Sequence, residues 1–192
     1  MKIKTMSRGL VIAISLGAIL FSIIGYAAST VILAVGTIPH SEIFDGPATV
    51  TVRTLTIKPG EVLAWHYHPG YAFNVVKSGA LTVGEGCGGE ETLTAGQAFE
   101  ELDGHVHRAK NLSTTEDVVV YNTFIVPQGQ PTTENIPGNE RRCGPPINIS
   151  ECKDDGWLKF TQPGSFGNQG DCVDYVRHRA RIFLPVPDDT QN

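Results

Sequence analysis

The sequence predicts an all-β domain of short strands, with an apolar helix before it and a small disulfide-held extension after it. Glycine and proline occur 21 and 12 times in 192 residues. They separate short apolar runs in the way that turns separate strands. No long helical repeat interrupts these runs, and the length suffices for one domain with a substantial core plus a small appendage.

The N-terminal segment has the composition of an export signal or a membrane anchor. Lys2, Lys4 and Arg8 form a positively charged flank, and residues 10–28 are uncharged and mostly apolar. This run is longer than the roughly 7–15 residues of a signal-peptide core and approaches the roughly 20 that cross a bilayer. We expect residues 1–29 to be a cleaved signal peptide or an uncleaved transmembrane helix, with the rest of the chain exported.

The predicted barrel spans residues 30–127 and consists of runs that alternate or are rich in β-branched residues. The clearest is residues 48–58, where apolar residues are interspersed with threonines. Asp103-Gly104 is a strong turn signal and predicts a hairpin between the strands on either side. The predicted strands are residues 31–35, 48–58, 62–68, 71–76, 80–83, 98–102, 105–109 and 118–126.

The composition changes after the predicted barrel. Residues 128–151 are rich in Pro, Gly, Asn and Gln and are typical of a linker or wrapping loop. Residues 152–184 resemble a short cystine motif found at the ends of some secreted bacterial proteins. That resemblance implies a structural role for the segment, with one disulfide and one buried tryptophan, Trp157, stabilising it. Residues 185–192 are expected to be a disordered tail.

The four cysteines agree with an exported protein, because disulfides persist in oxidising compartments. Four cysteines allow three pairings, which sequence alone does not resolve. We favour Cys87–Cys143 and Cys152–Cys172, since the second pair brackets a compact loop. A cysteine zinc site is the rival interpretation, but no Cys-x-x-Cys spacing occurs.

The charge balance argues against nucleic acid as a partner. The formal net charge is −5, and removing the three N-terminal cations makes it −8. Binding to phosphates requires clustered lysine and arginine. The nearest approach to such a cluster is the short basic stretch at residues 177–181, and a stretch of this kind is usually solvated surface.

Three histidines suggest a metal site. His66 and His68 are two residues apart in a predicted strand, so their side chains point to the same face. His107 lies in a distant strand and could complete a set of nitrogen ligands. Neutral imidazole is a ligand for iron, nickel, copper and zinc.

The segments around these histidines resemble the two sequence motifs of the cupin superfamily. The first motif matches at Gly60, His66, His68 and Gly79. The second motif matches at Gly96, Gly104, His107 and Asn111. The resemblance covers roughly the middle half of the chain. It implies a single antiparallel jelly-roll barrel, also called a double-stranded β-helix.

The same resemblance implies the contents of the site. His66, His68 and His107 would bind a divalent transition metal, with iron, nickel, manganese and zinc not distinguished. A small-molecule ligand or substrate would enter the barrel, and the domain could pair as a homodimer. Asn111 and Gly79 would serve turns and backbone hydrogen bonds.

The chain departs from the cupin pattern at two positions. Ala72 stands where the first motif has glutamate, and Leu102 stands where the second has proline. Glu100 and Glu101 lie on the strand that enters the second motif, and alternation sends one of them inward as a substitute carboxylate. His105 shares the parity of His107 and could add a fourth nitrogen.

Aromatic residues near the motifs are expected to be structural. Trp65 and Tyr67 alternate with the two histidines, so they should face away from the site and pack an outer layer. Phe73 and Phe99 are expected in the core.

The leading hypothesis is an extracytoplasmic metal-binding cupin with a three-histidine site. Three-histidine relatives include thiol dioxygenases and diketone-cleaving oxygenases, so an oxygenase-type reaction on a small molecule is the leading enzymatic class. A non-catalytic module that binds a sugar-like ligand at the cell envelope is the alternative. An envelope protein with vestigial histidines is a third interpretation. The sequence names no catalytic residue.

Overall fold

The computed structural model describes the backbone of residues 28–183 and the side chains of residues 28–178. The predicted signal or anchor falls outside these residues except at positions 28 and 29, and the predicted tail at residues 185–192 falls outside them entirely. Within the described part of the chain, no helix has both the length and the apolar character needed to cross a bilayer.

Within the described residues, ten strands form two five-stranded antiparallel sheets. In chain order they are β1 Ser29–Ser41, β2 Gly46–Ile57, β3 His66–Tyr67, β4 Tyr71–Ser78, β5 Ala80–Glu85, β6 Glu90–Thr94, β7 Ala98–Glu101, β8 His107–Asn111, β9 Val118–Pro127 and β10 Glu134–Asn135. The first sheet has the order β1-β2-β9-β4-β7, and the second has the order β10-β3-β8-β5-β6. This is the predicted cupin-type jelly roll.

The main core lies between the sheets and follows from alternation along the strands. In β9 the buried residues are every second one from Val118 to Val126, with polar Asn122 among them. The buried apolar residues of the main cluster are Leu55, Ile57, Val76, Leu81, Val83, Leu93, Val118 and Val120. Each sheet therefore turns one face inward, as expected for strands with alternating apolar residues.

The hairpin predicted at Asp103-Gly104 is wrong. The strands on either side, β7 and β8, belong to different sheets and do not pair. Gly104 has a φ of 70°, as a turn residue requires. Its N–H donates to the carbonyl of His68 at 2.8 Å. The turn therefore carries the chain from one sheet to the other beside the predicted metal site. Turn residues specify a local reversal but not the pairing of the strands that follow.

The aromatic predictions are partly correct. Trp65 is 7% exposed and packs against Val106 and Ile136 on the outer side of the second sheet, as expected. Phe99 is half-buried against the main core. The prediction for Phe73 is wrong, because this residue is 45% exposed. Its neighbours Ala72 and Asn74 point inward, so alternation turns Phe73 to the outer face of β4.

Both favoured disulfides, Cys87–Cys143 and Cys152–Cys172, are present. Beyond the barrel, the chain forms 3₁₀ helices at Pro137–Asn139, Ile149–Cys152 and Gly156–Lys159 and an α-helix, α1, at Gln169–Phe183. The sequence did not predict α1. Residues 152–178 with Cys143 form a second small core, here called the C-terminal unit. Its buried aromatic residue is Phe160, whereas Trp157 is only half-buried, which corrects the prediction.

The segment between the barrel and the C-terminal unit is part of the second sheet. Residues 128–143, here called the strap, include β10, which pairs with β3 so that Asn135 lies opposite His66. The N–H of Ile136 donates to the carbonyl of Trp65 at 2.8 Å. The strap ends at Cys143, whose disulfide attaches it to the loop after β5. It therefore flanks β3, which carries His66 and directly precedes His68.

Candidate metal centre

The three predicted ligands come together because their strands are neighbours. His66 pairs directly with His107 in the antiparallel register of β3 and β8, and His68 follows β3 immediately. The ring centroids are 4.4 Å apart for His66 and His107, 4.9 Å for His68 and His107, and 5.2 Å for His66 and His68. All three residues are buried, with no more than 8% of each exposed. One ligand atom of each lies within 4.8 Å of the others.

Backbone carbonyls fix the orientation of each imidazole ring. Nδ1 of His66 lies 2.8 Å from the carbonyl of Ala64, and Nδ1 of His107 lies 2.9 Å from that of His105. Nδ1 of His68 lies 2.5 Å from the carbonyl of Thr132 in the strap. A carbonyl oxygen can only accept, so each Nδ1 carries the proton. Each Nε2 is then available as a ligand, which is the usual arrangement of a metal-binding histidine.

Glu101 on β7 adds a carboxylate to the three histidines. The cupin motif places its glutamate on the neighbouring strand β4. Oε2 of Glu101 is 3.1 Å from His68 Nε2, and Oε1 of Glu101 is 2.9 Å from His107 Nε2. In the register of β4 and β7, Glu101 lies directly opposite Ala72, the position where the cupin motif has glutamate. Ala72 is fully buried and its short side chain leaves room for the carboxylate. The acidic group lost from β4 is thus supplied by β7.

The other two candidate substitutes lie outside the cluster. Glu100 faces outward on β7 and is exposed. Nδ1 of His105 contacts Oε2 of Glu85 at 3.3 Å instead of joining the three histidines. The turn at Gly104 precedes β8, and β8 begins only at His107. His105 therefore lies outside the strand, and its side chain does not point to the same face as that of His107.

Burial and mutual contact set the charges of the cluster. Burial, together with the neighbouring His107 and His68, lowers the pKa of His66 to about 3, so this ring is neutral. Burial also lowers the pKa of His107, but the adjacent Glu101 carboxylate outweighs it and leaves that pKa raised. Burial alone would raise the pKa of Glu101. The contacts with His107 and His68 reverse this and hold its pKa well below its ordinary value.

The contacts within the cluster fit a cation better than hydrogen bonds. Nε2 of His107 is buried and lies close to Glu101 Oε1, yet it has no hydrogen-bond partner of adequate geometry. With Nδ1 already protonated, a neutral His107 would direct its Nε2 lone pair at a carboxylate. A divalent metal would satisfy the nitrogen lone pairs and the carboxylate together. The cluster is therefore compatible with a divalent metal ion.

A chain of polar side chains supports Glu101 from inside the barrel. Nδ2 of Asn74 donates to Glu101 Oε2 at 3.0 Å, and Nδ2 of Asn122 donates to Asn74 Oδ1 at 2.7 Å. Nε of Arg53 donates to Asn122 Oδ1 at 3.1 Å. These residues and the Thr132 carbonyl were not predicted from the sequence. Asn74, Asn122 and Arg53 are polar residues at inward positions of apolar strands, and this pattern could have identified them. A backbone carbonyl leaves no signal in the sequence.

Comparison with known families identifies the barrel. Residues 53–127 match the family model of the cupin domain. The chain contains a cupin domain. No curated protein matches the chain in sequence.

Solved structures similar to this chain include three bacterial proteins. A Klebsiella pneumoniae protein with a double-stranded β-helix domain is 25% identical, over 45% of this chain and 73% of its own, with a TM-score of 0.39. A cupin-like protein of Thermotoga maritima is 22% identical, over 57% and 75%, with a TM-score of 0.43. A cupin domain of Bordetella pertussis is 23% identical, over 51% and 92%, with a TM-score of 0.40.

Asn111 has the structural role expected of its position in the second cupin motif. It is fully buried. Its Nδ2 donates to the carbonyls of Ile57 and Glu116 at 2.9 and 2.8 Å, and its Oδ1 accepts from the N–H of Ser113 at 3.0 Å. These bonds connect the ends of β2, β8 and β9 around one side chain. Asn111 thereby stabilises the cupin barrel at a point where three chain segments meet.

Proposed function

We propose that this cupin domain binds a divalent transition metal through His66, His68 and His107, with Glu101 as a fourth ligand. The observation that carries the proposal is the convergence of three buried imidazoles whose Nδ1 atoms each face a backbone carbonyl. Rings held in this way present Nε2 to the centre without rearrangement. The carboxylate adds the negative charge that a divalent ion favours.

The leading enzymatic class is an oxygenase-type reaction on a small molecule. A metal held by His66, His68, His107 and Glu101 would supply Lewis-acid chemistry that polarises a substrate or dioxygen. The residues of this chain would orient the ligands and exclude water. The ligand set suits iron, nickel, manganese and zinc. A cupin module that binds a sugar-like ligand without catalysis is the alternative, since cupin domains commonly bind small ligands.

We further propose that the domain functions outside the cytoplasm. All four cysteines form disulfides, which persist in oxidising compartments. The basic flank and apolar run at residues 1–29 support export, either as a cleaved signal or as a membrane anchor.

The metal proposal is tested by elemental analysis of protein secreted into an oxidising compartment. We expect about one transition metal ion per chain in the wild type and at least a roughly tenfold lower content in His66→Ala. His105→Ala is the matched control, because His105 lies near the cluster but contacts Glu85. Its metal content should equal that of the wild type. Substoichiometric metal in the wild type that is unchanged in His66→Ala would refute the proposal.

Oxygen consumption distinguishes the enzymatic proposal from the alternative. Metal-loaded protein would be assayed with a panel of thiols and diketones. Uptake that is lost in His66→Ala supports an oxygenase. Metal-loaded protein that binds a small sugar but consumes no oxygen with any compound supports the binding module.

A further inference from the structure

Arg53 places a positive charge inside the barrel, near the histidine cluster. It occupies the inward face of β2 between Thr51 and Leu55, both of which are buried. Its Cζ lies 4.4 Å from the ring centroid of Phe124. That ring lies 4.9 Å from the ring of His68. A single aromatic ring therefore separates the guanidinium from one of the proposed ligands.

The charge of Arg53 is not neutralised by the residues around it. Its only hydrogen bond within the described part of the chain runs from Nε to the neutral amide of Asn122. No carboxylate among the described residues lies within 4.0 Å of its guanidinium nitrogens. Burial lowers the pKa of Arg53, and the more distant Glu101 offsets this only in part. A half-buried cation that has no carboxylate beside it is costly, so an anion is expected to join it.

The two asparagines keep Arg53 and Glu101 apart. Arg53 pairs with Asn122 in the register of β2 and β9, and Asn122 pairs with Asn74 in that of β9 and β4. The hydrogen bonds run in one direction, from Arg53 through both amides to Glu101. This spacing prevents a direct ion pair that would draw the carboxylate away from the histidines. It uses only Nε of Arg53, so no described residue forms a hydrogen bond with either Nη group, and both remain available to a ligand.

We propose that Arg53 is a specificity-determining residue that binds the anionic end of a small organic acid whose other end reaches the three-histidine centre. The proposal rests on the proposed function and adds the substrate class, namely small carboxylates. Two free Nη groups form a planar fork that matches the two oxygens of a carboxylate. Three neutral imidazoles, one carboxylate and a divalent ion already leave the site net positive, and Arg53 adds a second positive charge beside it. Such a site favours an anion over a neutral analogue of equal size.

The test uses pyruvate and its neutral amide, pyruvamide, as probes. Binding to the cobalt-loaded full chain would be measured by calorimetry for the wild type, Arg53→Gln and Arg53→Lys. We expect the wild type to bind pyruvate at least roughly tenfold more tightly than pyruvamide. Arg53→Gln should lose most of this preference, because only the charge of the metal centre remains, and Arg53→Lys should retain more of it. Arg108→Gln is the matched control, because Arg108 also stacks on an aromatic ring, with Cζ 4.5 Å from Trp65. It should behave as the wild type.

A metal-free experiment separates this proposal from the metal proposal. Pyruvate should raise the melting temperature of the metal-free wild type and of Arg108→Gln, but not that of Arg53→Gln. If the wild type fails to bind cobalt, the metal site is refuted. This rise in melting temperature would then still support the role of Arg53. Equal binding of pyruvate and pyruvamide by the wild type, or an undiminished preference in Arg53→Gln with a wild-type unfolding midpoint, would overturn the role of Arg53.

Discussion

Replacing Glu101 by glutamine removes the negative charge of the cluster while keeping the size of the side chain. In the metal-free protein its Oε1 lies 2.9 Å from His107 Nε2. Two unit charges at this separation attract by roughly 6 kcal/mol at an effective dielectric constant of about 20. Desolvation of both groups cancels part of this gain. Removing one partner of a buried pair costs about 3–5 kcal/mol, so we expect Glu101→Gln to lower the free energy of unfolding by about 3 kcal/mol at pH 6.

The loss should depend on pH in a defined direction. The pKa of His107 is raised in the folded protein, because Glu101 outweighs the effect of burial. Protonated His107 therefore contributes to the free energy of unfolding. This contribution is complete below the ordinary pKa of about 6.5 and disappears as the pH rises through the pKa of the folded state. The difference between the wild type and Glu101→Gln should therefore be largest near pH 6 and smaller at pH 9.

Urea unfolding of metal-free protein at the two pH values measures this difference. Glu100→Gln is the matched control, since Glu100 is the outward-facing neighbour on the same strand. It should change the unfolding free energy by less than about 0.5 kcal/mol. A Glu101→Gln variant as stable as the wild type at pH 6, or one destabilised equally at both pH values, would show that the pair of Glu101 and His107 does not stabilise the fold in this way.

Three further predictions concern the support of the site. Asn111→Leu removes all three hydrogen bonds of a fully buried side chain and should cost about 3 kcal/mol in urea unfolding; an unchanged midpoint would contradict this. Burial is the main cause that lowers the pKa of His66 from 6.5 to about 3 in the folded protein. The stabilisation that neutral His66 contributes is therefore complete above pH 6.5 and is lost as the pH falls towards 3. Between pH 6.5 and pH 3, the free energy of unfolding of the metal-free wild type should fall by on the order of 4 kcal/mol more than that of His66→Gln. Equal falls in the two proteins would contradict this prediction. Replacing Cys87 and Cys143 by alanine frees the strap that orients His68 and should weaken cobalt binding about tenfold. Replacing Cys152 and Cys172 by alanine removes the disulfide of the C-terminal unit and should leave cobalt binding unchanged. Equal effects of the two replacements would show that the strap does not orient His68.

The features predicted correctly are those with local signals. Alternation of apolar residues located the strands, and the spacing of His66 and His68 fixed their common face. Parity also indicated that either Glu100 or Glu101 faces inward. It could not decide between them, because the answer depends on the register of β7 against β4, and register is set by contacts between distant segments.

The features missed depend on long-range packing or on the backbone. The turn at Asp103-Gly104 was assigned to a hairpin because its residues report only a local reversal. Helix α1 has a largely polar sequence, and its apolar contacts come from a small core that a disulfide helps to build. Thr132 acts through its carbonyl, so its side chain carries no information. Asn122 could have been found, since it is polar at an inward position of an otherwise apolar strand.

The most direct test of the central claim is an anomalous difference map from crystals of the secreted full-length protein, recorded at the absorption edge of the metal it acquires. We expect a single strong peak inside the barrel, about 2.0–2.2 Å from Nε2 of each of His66, His68 and His107 and from one oxygen of Glu101. No peak within coordination distance of these side chains, or a peak bound elsewhere while the three rings contact only protein atoms, would contradict it.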